Sequence, residues 1–180
     1  MTEKAPPEFR TTGTLAEKGV TLTDKSSIDA LTSRGYGTLE DEVFTLTFYE
    51  ALYLLDKGML EVKDDKGKTM NFQSLLNCYE GHNENAWVSY LVYRDLRSRG
   101  YVAREGFGGG IDFRVYERGG YGKETAPYLV LSTQEGKPLS VDGLAGALQQ
   151  CQSQKKELIV AVMNRRGEIV YYSVSQLTFK

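Results

Sequence analysis

A chain of 180 residues with 41% apolar and 26% charged side chains can bury one sizeable core or two small ones, and it has no run approaching the roughly 18 apolar residues that a spanning helix requires. Two distant cysteines, Cys78 and Cys151, and a single histidine, His82, exclude a disulfide framework and a Cys/His zinc cluster. The net charge of −2 hides an asymmetry: residues 1–85 carry 9 Lys and Arg against 15 Asp and Glu, and residues 86–180 carry 13 against 9, so the halves stand at −6 and +4.

The opening M-T-E-K-A-P-P-E puts acid and proline where a secretory signal needs an apolar stretch, so a cytoplasmic protein is expected. From there to about Gly37, short β-like pieces such as "TGTLAEKGVTLTD" alternate with polar turns and predict a small sheet. In "TLTFYEALYLLDKGM", Thr45 or Thr47 is a candidate N-cap, Leu52 and Leu55 have helical spacing, and Gly58 is a stop, which predicts a short helix. "MNFQSLLNCYE" predicts a second one. The charged tract Asp64 to Lys68, with Gly67, reads as the turn between them.

A longer helix is expected from about Asn83 to Arg99, with Trp87, Tyr90, Leu91 and Arg94 at i, i+3, i+4, i+7 and Gly100 at its end. The period then changes. "YVAREGF", "IDFRVYER" and "PYLVLST" predict three strands, "SVDGLAGALQQCQSQ" an amphipathic helix, and "ELIVAVMN" and "EIVYYSVSQL" two last strands around Arg165-Arg166-Gly167. The fold class that follows is α+β: a small mixed domain over residues 1–83, then an α-β-β-β-α-β-β domain over 84–180 with a mixed sheet.

Arg94, Arg97, Arg99, Arg104, Arg114 and Arg118 crowd one span of the basic half, which favours a polyanionic partner, although a solvated helix end with strand charges would carry the same residues. His82 lies in the polar junction "YEGHNEN" and reads as a surface or capping residue. A metal-dependent nuclease would need carboxylates and a lysine fixed around Mg²⁺; Asp112, Glu135 and Lys137 are the candidates, but "TQEGKPLS" has the glycine and proline of a turn. Gly108 to Gly110 precede neither a lysine-serine pair nor a helix, so they form no phosphate loop. Tyr116, at the end of the strand they lead into, and Lys156, after the last helix, remain.

These segments together, "YLVYRDLRSRGYVAREGFGGGIDFRVYERG", "PYLV", "QKKELIVAV" and "GEIVYY", with the weaker "YGTLE…LTFYEALYLLDKGMLEV", resemble the archaeal tRNA-splicing endonucleases over about residues 30–180. The resemblance implies metal-independent cleavage of precursor tRNA at a bulge-helix-bulge, by attack of a 2′-hydroxyl on its own phosphate, with no cofactor. The products would be a 2′,3′-cyclic phosphate and a 5′-hydroxyl. It further implies Tyr116 as base on the 2′-hydroxyl and Lys156 as the cation that stabilises the transition state. A cation near the phenol suits the first role, since a group of pKa near ~10 is otherwise a poor base. Without the resemblance, Tyr116 would read as a packed strand residue and Lys156 as a helix-end charge. Arg114 and Arg118 are the RNA contacts expected beside Tyr116.

Three departures from the family pattern stand out. Thr125 occupies the place of the family's histidine acid, and a threonine hydroxyl cannot serve as a proton donor of pKa near 7; general acid catalysis contributes roughly 10²- to 10⁴-fold. Gln149 stands where the family has an arginine that stacks on a bulge base. The turn that in the family is acidic and docks on a neighbouring subunit here cancels Glu135 with Lys137. An attenuated endonuclease subunit is therefore expected, and a non-catalytic structural subunit of a heteromeric enzyme is the alternative. Partners would be a second copy, as dimer or tetramer, or a second endonuclease subunit, with the C-terminal edge "EIVYYSVSQLTFK" as a plausible contact.

Overall fold

The protein was analysed as a computed structural model, which describes residues 9–179; the opening segment read for export lies outside them. No helix among the described residues is long and apolar enough to cross a membrane. The chain forms two compact units, Met1–Tyr90 and Leu91–Lys180.

In the first unit, β1 (Thr11–Ala16) pairs antiparallel with β2 (Gly19–Leu22) and parallel with β5 (Leu60–Lys63). With β3 (Thr38–Glu40), β4 (Val43–Leu46) and β6 (Thr69–Met70) they make a six-stranded sheet in the order β3-β4-β2-β1-β5-β6. The expected small sheet is present, but it is interrupted by a helix that the sequence reading did not include, α1 (Lys25–Ser33). Its apolar periodicity is thin, with only Ile28 and Leu31 as anchors, and its start depends on the Asp24 side chain accepting from the Ser27 amide at 2.8 Å.

The helix predicted to start at Thr45 or Thr47 is α2 (Phe48–Asp56), and Thr47 is its cap. A reciprocal capping box fixes it: Glu50 N donates to Thr47 Oγ1, and Thr47 N donates to Glu50 Oε2 at 2.9 Å. Glu50 is only 2% exposed and also accepts from Gly37 N, which satisfies a carboxylate that would otherwise be costly to bury. α3 (Phe72–Glu80) follows, capped by Asn71. His82, read as a surface or capping residue, is exposed; its Nδ1 bonds the Cys78 carbonyl at 2.8 Å and its ring meets Phe48 in a tilted contact at 5.3 Å.

The long helix is α4 (Ala86–Ser98), which runs across the division between the units. The four-residue stripe read from spacing is too narrow. Tyr90 and Leu91 are buried, Trp87 and Arg94 are exposed, and Ala86, Val88, Ser89, Val92, Tyr93 and Leu96 are buried as well.

The second unit continues in the expected order: β7 (Val102–Gly108), β8 (Ile111–Tyr116), β9 (Tyr128–Gln134), α5 (Val141–Ser153), β10 (Glu157–Met163) and β11 (Ile169–Val174). Its mixed sheet runs β11-β10-β9-β8-β7, antiparallel except for the β9–β10 pair that α5 connects. Register assigns the faces. Arg114 opposes Leu129, and Leu129 opposes Leu158, so these three share the face on which Ala147 and Cys151 of α5 pack. Phe113, Val130 and Ile159 share the other face, where a groove is lined by Leu96, Arg99, Tyr101, Val115, Tyr128 and Tyr171 among others.

On that second face Asp95 ties α4 to β11. Its Oδ2 accepts from the Tyr171 hydroxyl at 2.7 Å and pairs with Arg99 at 2.7 Å. Burial first, and then the bond to Asp95, push the Tyr171 phenol far above its ordinary 10.0. A neutral group held this way contributes stability below the unfolded-state pKa of about 10 and loses it as pH rises toward the folded-state value. Tyr171→Phe should therefore cost about 1 kcal/mol at neutral pH and flatten the alkaline decline in stability. Chemical denaturation of both proteins between pH 7 and 11 checks this.

Candidate active site

Tyr116 is the last residue of β8 and lies on the face of Arg114, by alternation along the strand. The ladder between β8 and β9 ends at Val115–Tyr128, so Tyr116 is next in register to Pro127. On the other side of β9, Glu157 pairs with Tyr128, and Glu157 N donates to the Pro127 carbonyl at 2.9 Å. Lys156 is thus also next in register to Pro127. Tyr116 and Lys156 flank one residue at the same end of the sheet, two strand spacings or about 10 Å apart at the backbone, a distance their long side chains can span.

Thr125 sits two residues before Pro127, exposed, in the irregular segment that leads into β9. The Lys156 ammonium donates to the carbonyl of the very next residue, Ala126, which is buried. Tyr116, Lys156 and the Thr125–Ala126 peptide therefore lie at the same end of three neighbouring strands. The Tyr116 ring is met edge-on by Tyr121 at a centroid distance of 5.1 Å. Spacing could not single out Tyr121; its only signal is an aromatic residue in the otherwise polar loop "ERGGYGKET".

The end of α5 sets where Lys156 emerges. Lys155 N donates to Gln152 O at 3.1 Å and Lys156 N to Cys151 O at 2.9 Å, the two bonds of a Schellman cap. The residue at its left-handed position is not glycine but Lys155, at φ 55°. Cys151, directly beneath, is a buried free thiol whose pKa is raised by burial against a small opposing pull from Lys156.

The other expected residues divide. Arg114 is held against the Phe107 ring at 4.7 Å, with Nε donating to Glu105 O at 2.8 Å. Arg118 is exposed and lies over the Tyr101 ring at 5.8 Å. Gln149 is exposed on α5, while Ala147 and Cys151 on either side of it face the sheet. Asp112 and Glu135 do not converge. Asp112 accepts from Ser132 N at 2.6 Å on β9, and Glu135 is engaged with Arg165 at 3.5 Å beyond the strand's end. Among the described residues no group of three or more His, Cys, Asp or Glu could hold a metal ion.

Gly109 and Gly110 form the two-residue loop between β7 and β8, both with positive φ (65° and 89°), as a type I′ hairpin demands. A side chain at Gly106 would run into the Ile111 carbonyl at 2.1 Å. The glycines serve a tight turn into β8.

Two family models cover most of the chain. The tRNA intron endonuclease N-terminal domain matches residues 11–76, and the catalytic C-terminal domain of the same family matches residues 86–171. The chain belongs to the tRNA intron endonuclease family. Relatives agree over nearly their whole length. It is 33% identical to the tRNA-splicing endonuclease of Methanococcus vannielii over 96% of this chain and 98% of the relative, and 29% identical to that of Pyrococcus horikoshii over 98% and 99%. The tRNA-splicing endonuclease of Methanothermobacter thermautotrophicus is 32% identical over 92% and 97%.

The Schellman cap makes Lys155 a test of the backbone that carries Lys156. Glycine at this position removes the roughly 1 kcal/mol cost of a left-handed non-glycine residue but gains some unfolded-state entropy. Lys155→Gly is expected to raise stability slightly, by up to about 1 kcal/mol, and Lys155→Val to lower it by more than that. Denaturant midpoints of the three proteins decide it.

Proposed function

We propose that this family member is an RNA endonuclease subunit that cuts precursor tRNA at intron boundaries in a bulge-helix-bulge. The 2′-oxygen forms a bond to its adjacent phosphorus, the bond from phosphorus to the 5′-oxygen breaks, and the products are a 2′,3′-cyclic phosphate and a 5′-hydroxyl. Tyr116 takes the proton from the 2′-hydroxyl. Lys156 balances the charge that builds on the phosphorane. The leaving oxygen needs a proton that Thr125 is poorly suited to give, so water supplies it and the rate is low.

The observation that carries this reading is the Lys156 ammonium fixed on the Ala126 carbonyl, beside Thr125 and in register with Tyr116. A structural lysine at a helix end would be expected to extend into solvent rather than bond the carbonyl of a buried residue in the segment leading into β9. The +4 balance of residues 86–180 supports RNA contact through this half. A second reading, a non-catalytic subunit beside a histidine-bearing partner, rests on the threonine at position 125.

Assembly through β11 belongs to the same proposal. This strand is the sheet edge, Val170 and Tyr172 are exposed on it, and Leu177 and Phe179 are exposed beyond it. An apolar edge of that kind is suited to pairing with a second copy.

Single-turnover cleavage of a bulge-helix-bulge RNA in EDTA tests the chemistry. Thr125→His should raise the rate by about two orders of magnitude without tighter binding, and should add a pH limb near the imidazole pKa that the parent lacks. An unchanged rate with RNA bound would favour the non-catalytic subunit. Lys156→Ala should abolish cleavage while the fold persists, and Lys155→Ala should matter far less. Equal losses from the two lysines would show that the wrong one carries the charge.

A further inference from the structure

Tyr116 stands where its strand gives it little support. It is the last residue of β8, paired with Val102 of β7 on one side, while Pro127, next in register on β9, has no N–H to offer the ladder. Arg114, two residues back on the same face, is turned toward the hairpin, with its Nε on the Glu105 carbonyl at 2.8 Å and its guanidinium over Phe107. A half-buried tyrosine left unbraced at a strand end exchanges between staggered rotamers, and each exchange swings its hydroxyl away from one target.

The chain that follows supplies the brace. Glu117 is anchored to β9 through the Tyr128 hydroxyl, which donates to its Oε1 at 3.0 Å. The Glu117 carbonyl receives Gly120 N at 3.0 Å and the Gly120 carbonyl receives Glu124 N at 2.9 Å, so two successive turns fold the loop back on the strand end. Gly119 and Gly122, at φ 74° and 79°, make its left-handed corners. Between them Gly120 is buried, and Tyr121, half-buried, meets Tyr116 with ring centroids 5.1 Å apart and planes at 89°. Perpendicular rings at that distance are a favourable aromatic pair. The turns themselves need no aromatic residue at position 121, so the ring answers a demand other than the loop's own.

We propose that Tyr121 is a positioning residue: set edge-on against Tyr116, it confines that phenol to the orientation from which it takes the proton of the 2′-hydroxyl. The proposal rests on the RNA-cleavage reading above, in which Tyr116 is the base. Proton transfer requires the two oxygens within hydrogen-bond reach, and a ring free to turn is in reach only part of the time. Tyr121 acts through Tyr116 and need touch no RNA.

The test uses a bulge-helix-bulge RNA in which sulfur replaces the scissile 5′-oxygen. The thiolate leaves without a proton, so the rate reports attack by the 2′-oxygen, free of the deficit at Thr125. In single-turnover reactions at saturating protein, Tyr121→Ala should lower the rate about 10- to 100-fold, the usual cost of a small misplacement of a reacting group, with the Kd for RNA unchanged. Tyr121→Phe keeps the ring and should hold the parent's rate within about 2-fold. In a Tyr116→Phe background, where there is no hydroxyl to aim, Tyr121→Ala should cost less than about 2-fold. That arm also separates a positioning loss from a damaged fold, since unfolding would lower the rate in both backgrounds alike.

A full rate in Tyr121→Ala, no rescue by phenylalanine, or an equal loss in the Tyr116→Phe background would each overturn the positioning role. So would weaker binding with an unchanged saturated rate, which would make Tyr121 an RNA contact instead. Slower cleavage by Tyr116→Phe than by the parent leaves the endonuclease reading standing whatever Tyr121 does. If the parent cuts neither the sulfur-bridged nor the ordinary RNA, both fall.

Discussion

The second unit is organised by the parallel pairing of β9 with β10. Six further residue pairs follow Glu157–Tyr128 in one register, so a single choice of alignment fixes every contact between the two strands. A slip of one residue would turn Leu158, Val160 and Val162 away from α5. It would also move Lys156 off the Ala126 carbonyl. Burial and site geometry are therefore set by the same alignment, and the hydrophobic demand of the core protects the placement of a charged residue that is itself only half-buried.

α5 reinforces this. A parallel pair requires a crossover, and a helix packed on the face that it crosses gives the connection an apolar reason to return. Its last buried residue, Cys151, supplies the carbonyl that receives Lys156 N. The helix thus ends where the core ends, and the strand that begins next inherits its position from both.

Much of this was readable from residue order. The alternation in I-D-F-R-V-Y, a cap at Thr45 or Thr47, and the change of period after Gly100 each reflect a strong local preference that tertiary packing does not override. The failures have local causes as well. α1 offers two apolar anchors and depends on a capping aspartate, too little for periodicity to register. The β3–β4 hairpin turns through Asp41 and Glu42 at φ 47° and 65°, where the sequence signal for such a turn would be asparagine and glycine. The spacing of Trp87, Tyr90, Leu91 and Arg94 located α4 but not its buried surface, because a helix buried on much of its surface has no single stripe to read. The partner of Lys156 was out of reach for another reason: it is a backbone carbonyl thirty residues away, and carbonyls have no residue-type signature. Tyr116 and Lys156 were legible as candidates only through the family resemblance, since each fits an ordinary structural role alone.

The hydrogen bond from Lys156 to Ala126 has a consequence in conformational entropy. A free lysine side chain samples many rotamers, and ordering it costs roughly 1.5–2 kcal/mol. Here that ordering occurs during folding, when one of the three ammonium donors is committed to a buried carbonyl and the other two are left to reach outward. An anion that arrives at this end of the sheet meets a cation whose search is already over, and the binding free energy it brings is not consumed in holding the lysine still.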